Sequence, residues 1–111
     1  MLDVWETYAQ ILRDRGRLEE ALAARRKMVE LSPPEATLPL LGVANLCLDL
    51  GRTDEAIRNA SLARERGDEG ASEVLARAYL AKGDLVAAEA AGRAAAEAGR
   101  TRIRGRLVLA R

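Results

Sequence analysis

AQILRDRGRLEEALAARRKM, residues 9–28, decides how this chain is read. Gly16 is followed five residues later by Ala21, preceded by Leu12 and Ala9, and answered further on by Met28. The same frame returns as Ala44, Cys47, Gly51, Ala56 and Ala63, then as Ala76, Tyr79, Gly83, Ala88 and Ala95. Displacements of 35 and 32 residues that hold five positions in register mark an internal repeat. Repeats of this length form helix pairs that bury surface mainly against their neighbours, so 111 residues do not imply one large core.

The spacing has a mechanical reason. A glycine tolerates the positive φ that ends one helix, and the alanine one turn into the next lets two backbones approach to the ~8–10 Å of packed helices. Trp5, Tyr8, Leu12, Leu40, Val43, Leu75 and Tyr79 are expected to fill the space beside the small residues. The punctuation predicts seven helical stretches. Gly16 ends the first (2–15), and Pro33-Pro34 ends the second (18–31). Thr37 is the expected N-cap of the third and Thr53 of the fourth. Gly67-Asp68 leads into the fifth and Gly83-Asp84 into the sixth, which Gly99 is expected to close before a short last helix over 101–111. The fold expected is all-α.

Composition narrows the function classes. Hydrophobic residues make up 49% and charged ones 32%, a globular balance, and phenylalanine is absent. A net charge of +1 gives no global attraction to nucleic acid or membrane. No apolar run approaches the ~20 residues of a membrane span, and nothing resembles a signal peptide; the compartment stays open, with the cytoplasm favoured. With no histidine the commonest general base is missing, and no zinc-ligand set is written. Cys47 stands alone in an apolar stretch and reads as a buried small hydrophobe. No catalytic residue, cofactor or metal site is expected.

At the repeat positions the chain resembles the tetratricopeptide repeat family. Trp5, Ala9, Leu12, Gly16, Ala21 and Pro33 fall where that family's pattern puts them. The second and third units keep the alanines and glycines but carry Leu40 and Ser72 in place of the tryptophan, and Asp68 and Arg100 in place of the proline. The resemblance implies a right-handed superhelix of stacked antiparallel helix hairpins, with units at about 2–34, 36–67 and 68–99. Residues 101–111 would be a partial fourth unit or a cap, and the end predicts a piece of a longer array. It further implies a protein-interaction module whose concave wall of first helices holds a partner peptide or helix. Glu6, Gln10 and Arg13 line that wall in the first unit, Leu38, Leu41, Asn45 and Leu48 in the second, and Glu73, Arg77 and Leu80 in the third. The lysine, arginine and asparagine cluster with which some family members grip chaperone tails is absent: Glu6, Gln10, Gly42, Gly70 and Val74 stand there.

Two readings of the end of the chain complete the picture. Leu107, Val108 and Leu109 are expected to cap the last pair or to serve self-association. Arg100, Arg102, Arg104, Arg106 and Arg111 form a basic tail without an acid, which leaves the rest of the chain net acidic. An alternative function, binding of single-stranded RNA by a helical-hairpin array, would draw on that tail. Against it stand the acidic body and the scarcity of aromatic side chains on which bases stack.

Overall fold

The computed structural model describes the backbone of residues 2–109 and the side chains of residues 4–99. Six α-helices account for it: α1 (Leu2–Asp14), α2 (Leu18–Leu31), α3 (Leu38–Asp49), α4 (Thr53–Glu65), α5 (Ala71–Lys82) and α6 (Leu85–Leu109). Among the described residues there is no strand. Each helix packs on its neighbours in the chain, and α3 also packs on α5.

The glycine turns are built alike. Gly16, Gly51 and Gly83 have φ of 75°, 77° and 88°, a region that costs a side chain with a Cβ and costs glycine nothing extra. At each, the glycine N–H donates to the carbonyl two residues before the helix's final residue or cap: Arg13, Leu48 and Leu80, at 2.9, 3.1 and 3.1 Å. The next N–H, of Arg17, Arg52 or Asp84, reaches back to Leu12, Cys47 or Tyr79 at 2.8, 2.7 and 3.0 Å. These paired bonds satisfy carbonyls that a helix end leaves open. The next helix starts at once, with Ala21, Ala56 and Ala88 donating to Arg17, Arg52 and Asp84.

This direct start explains why Thr53 does not cap α4: Arg52 holds the cap position and Thr53 is already helical. Thr37 does sit at the cap of α3, with Pro39 in the first turn, but its hydroxyl is used elsewhere. Thr37 Oγ1 donates to Asp68 Oδ2 at 2.7 Å, and Asp68 Oδ1 accepts the Gly70 N–H at 2.8 Å. One carboxylate therefore ties the entry of α3 to the entry of α5.

Packing follows the repeat in the first two units and loosens in the third. Ala9, Ala21, Ala44 and Ala56 are buried, whereas Ala76, Ala88 and Ala95 are half-buried. The largest fully buried side chains are Leu22, Leu46, Leu75, Val43 and Cys47. Two expectations are corrected here. Tyr8 does not fill the interior: it is 49% exposed and meets Trp5 edge-on, with ring centroids 6.3 Å apart. Trp5 itself is half-buried against the core edge.

The sixth helix is longer than expected. It runs through Gly92 and Gly99 to Leu109 as one element of 25 residues, so residues 101–109 continue α6 where a separate short helix was expected. Gly99 keeps a helical backbone because a glycine inside a helix costs only ~1 kcal/mol unless a turn bond rewards leaving it. The side chains of Leu107, Val108 and Leu109 lie outside the described residues.

The burial pattern predicts where truncation hurts most. Leu46→Ala is expected to cost ~2–5 kcal/mol, more than Trp5→Ala, because Leu46 is enclosed and Trp5 sits at an edge. Urea unfolding followed by circular dichroism measures both, and the reverse order would mean that Trp5, not the leucine layer, anchors the first pair.

Candidate functional site

The predicted wall residues lie on the odd-numbered helices, at like positions of the repeat. In the repeat register Gln10, Asn45 and Arg77 share one position on α1, α3 and α5; Arg13, Leu48 and Leu80 share the next turn; Glu6, Leu41 and Glu73 share the preceding one. A hydrogen bond from Arg77 Nη2 to Asn45 Oδ1 sets the middle row side by side on α3 and α5. At the other end Arg13 Nη2 pairs with Asp49 Oδ2 at 3.0 Å, joining α1 to α3.

These contacts change what the wall offers. Asn45, read from sequence as free to meet a backbone amide, is held by Arg77. Gln10 Nε2 donates to Asp14 Oδ1 within α1 at 2.9 Å. Leu41 and Leu48 are half-buried and pack against the core, whereas Leu38 and Leu80 stand 76% and 61% exposed. Glu6 and Glu73 are exposed. The apolar character of α3 thus divides in two. Leu40, Val43, Leu46 and Cys47 are buried, as suits a helix packed on α2, α4 and α5, and Leu38 presents the apolar surface that remains.

On the second helices, polar ties cross from unit to unit. Arg26 of α2 donates to both carboxylate oxygens of Glu55 on α4, at 2.8 and 2.6 Å. Glu19 of α2 accepts from Arg52 in the following glycine turn at 2.6 Å. Lys82 at the end of α5 pairs with Asp54 of α4 at 3.0 Å. The charge-assisted Arg26–Glu55 contact runs from a single guanidinium nitrogen, Nη2, to both carboxylate oxygens. The Arg26 hydrogen bonds hold the Glu55 carboxyl below its ordinary range, against the opposing pull of burial. Lys82 is raised by its bond to Asp54.

Cys47 lies under this pair. Burial first, and then the neighbouring Glu55 charge, push its thiol up to about 11. A thiol held protonated at neutral pH is a poor nucleophile, so its place in the structure is that of a packed small side chain.

Two features were not read from sequence. Arg26–Glu55 joins residues 29 apart, near the repeat length, but nothing in the pattern singles out that pair from other opposite charges at similar spacing. The exposed stripe of Val4, Tyr8 and Ile11 was legible as i, i+4, i+7; it was hidden because Tyr8 was grouped with Trp5 and Leu12 among the residues expected to fill the interior. The side chains of the basic tail, Arg100 to Arg111, lie outside the described residues. Among those described, no helix is long and apolar enough to cross a membrane. Compared with models of protein families and with curated proteins, the chain matches none.

The Arg26–Glu55 tie has a pH signature. Because the folded carboxyl is depressed below its ordinary 4.5, its contribution is present above that pH and is lost as pH falls through the lower folded value. Glu55→Gln is expected to lower stability at neutral pH by ~0.5–1 kcal/mol, modest because Arg26 is half exposed. The gap should close on acidification. Parallel stability curves for the two proteins from neutral to acid pH would mean that the pair contributes nothing.

Proposed function

We propose that this chain is a protein-interaction module of the tetratricopeptide type: three antiparallel helix pairs in a right-handed superhelix, without catalytic activity or cofactor. It takes a peptide or a partner's helix along α1, α3 and α5. The observation that supports this reading is the Asn45–Arg77 bond, which sets α3 and α5 side by side with these residues at like positions of the repeat. Repeat arrays use such extended surfaces for binding.

The wall's chemistry defines the partner in outline. Leu38 and Leu80 are the exposed apolar contacts on α3 and α5, while Glu6 and Glu73 supply acceptors. A segment that fits would carry apolar side chains for the two leucines and a basic or amide group for the carboxylates. Most of the energy of such a contact would sit in the few apolar anchors, and the rim would contribute mainly orientation.

A displayed peptide library panned on the protein tests this. Enriched peptides should perturb backbone NMR signals of α1, α3 and α5, and Leu38→Glu with Leu80→Glu should weaken them at least ~10-fold. Peptides that instead map to α2, α4 and α6, or that are indifferent to both leucines, would overturn the assignment of this wall.

A further inference from the structure

Among the described residues, one stripe of α1 packs into the core and the other stays exposed. Trp5, Ala9 and Leu12 pack into the core, but Val4, Tyr8 and Ile11 are 72%, 49% and 48% exposed. The repeat register shows how that second stripe is used elsewhere in the same molecule. On α3 the counterparts of Tyr8 and Ile11 are Val43 and Leu46, each 2% exposed. On α5 the counterparts of Val4, Tyr8 and Ile11 are Ala71, Leu75 and Ala78, all fully buried.

The helix that completes each pair does not account for this burial, since α1 has α2 and its stripe is still exposed. What α3 and α5 have in addition is a helix pair before them. Gly42, the counterpart of Thr7 on the same face, lies so close to α2 that a Cβ there would meet the Arg25 side chain at 3.3 Å. Ala71 clusters with Ala63 of α4. The stripe is therefore the seat for the second helix of a preceding unit.

The α6 surface of this same chain matches that seat. Met28 on α2 and Ala63 on α4 are buried, but their counterpart on α6, Ala95, is half-exposed, with Gly92 beside it. Charge follows the same register. Arg26 of α2 corresponds to Arg93 of α6, and Glu55 of α4 corresponds to Glu20 of α2. The pair that ties the first unit to the second is thus written again between the end of one copy and the start of another. Within one chain Arg93 and Glu20 are exposed and engage neighbours on or beside their own helices, Glu89 and Arg17.

We propose that two copies of this chain dock head to tail, with Val4, Tyr8 and Ile11 of one seated on α6 around Gly92 and Ala95 of the other, and Glu20 paired with the other copy's Arg93. The two surfaces differ, so the contact is heterologous and adds copies as concentration rises instead of closing a two-fold dimer. The proposal rests on the repeat register and is independent of what the α1, α3 and α5 wall binds.

Sedimentation of the whole chain over a wide concentration range tests it. The weight-average mass should rise with concentration, and Ile11→Glu, at an exposed site, should hold the protein monomeric with an unchanged circular dichroism spectrum. Glu20→Arg and Arg93→Glu should each weaken association by about ten-fold or more. Mixing those two proteins restores an opposite-charge pair at every junction and should restore association. Mixing Ile11→Glu with Arg93→Glu should stop at a one-to-one pair. A monomer at all concentrations, association indifferent to Ile11→Glu, or a Glu20→Arg and Arg93→Glu mixture no better than either alone would overturn the proposal.

Discussion

Everything in this molecule is registered by the left-handed glycine turn. A helix end leaves carbonyls without partners, and the turn at Gly16, Gly51 or Gly83 satisfies two of them while reversing the chain within three residues. Because the bonds are the same each time, the helix that follows begins at the same phase. The alanine five residues on then faces the preceding helix each time, fully buried at Ala21 and Ala56 and half-buried at Ala88. At Gly51 a Cβ would touch nothing within 4 Å, so the requirement there is the backbone angle and not space.

From that register the interfaces follow in order. Within a pair, small residues set the distance; between pairs, leucine and alanine layers share the burial with polar ties. The ties run from Arg13 to Asp49, Arg26 to Glu55 and Thr37 to Asp68, and each links one unit to the next. Such exposed or half-exposed pairs add little stability singly. Their effect is to fix how one unit sits on the next, while the apolar layers supply the larger energies. The third unit has thinner layers, since α6 carries Glu89 and Ala95 where α2 buries Leu22 and Met28. That thinness is also what leaves the small residues Gly92 and Ala95 of α6 half-exposed among the described residues.

The sequence was legible where chemistry is local. A glycine at a helix end, a proline pair after Leu31 and the alanine spacing each have one physical reading, and the first five helices and the start of the sixth appear where they point. It was less legible where one residue type serves two purposes. Gly99 looks like Gly83, but lacks the turn that rewards leaving the helix. Thr37 was right by position and wrong by partner, because a carboxylate 31 residues away competes for its hydroxyl. Tyr8 and Trp5 were assigned inward by type, whereas their depth depends on what lies against α1. Of the proposed wall, the shared repeat positions were readable; that Asn45 is already engaged by Arg77 and that Leu41 and Leu48 lean on the core depend on long-range packing.

Amide hydrogen exchange resolved along the chain tests the central claim, that three units share one register but differ in packing. Stability in such an array is distributed by unit and interface rather than held in one cooperative core. The account predicts the slowest exchange in α2, α3 and α4 around Leu22 and Leu46, with α6 opening sooner and without opening α1 or α2. Equal protection across all six helices, lost together, would contradict it.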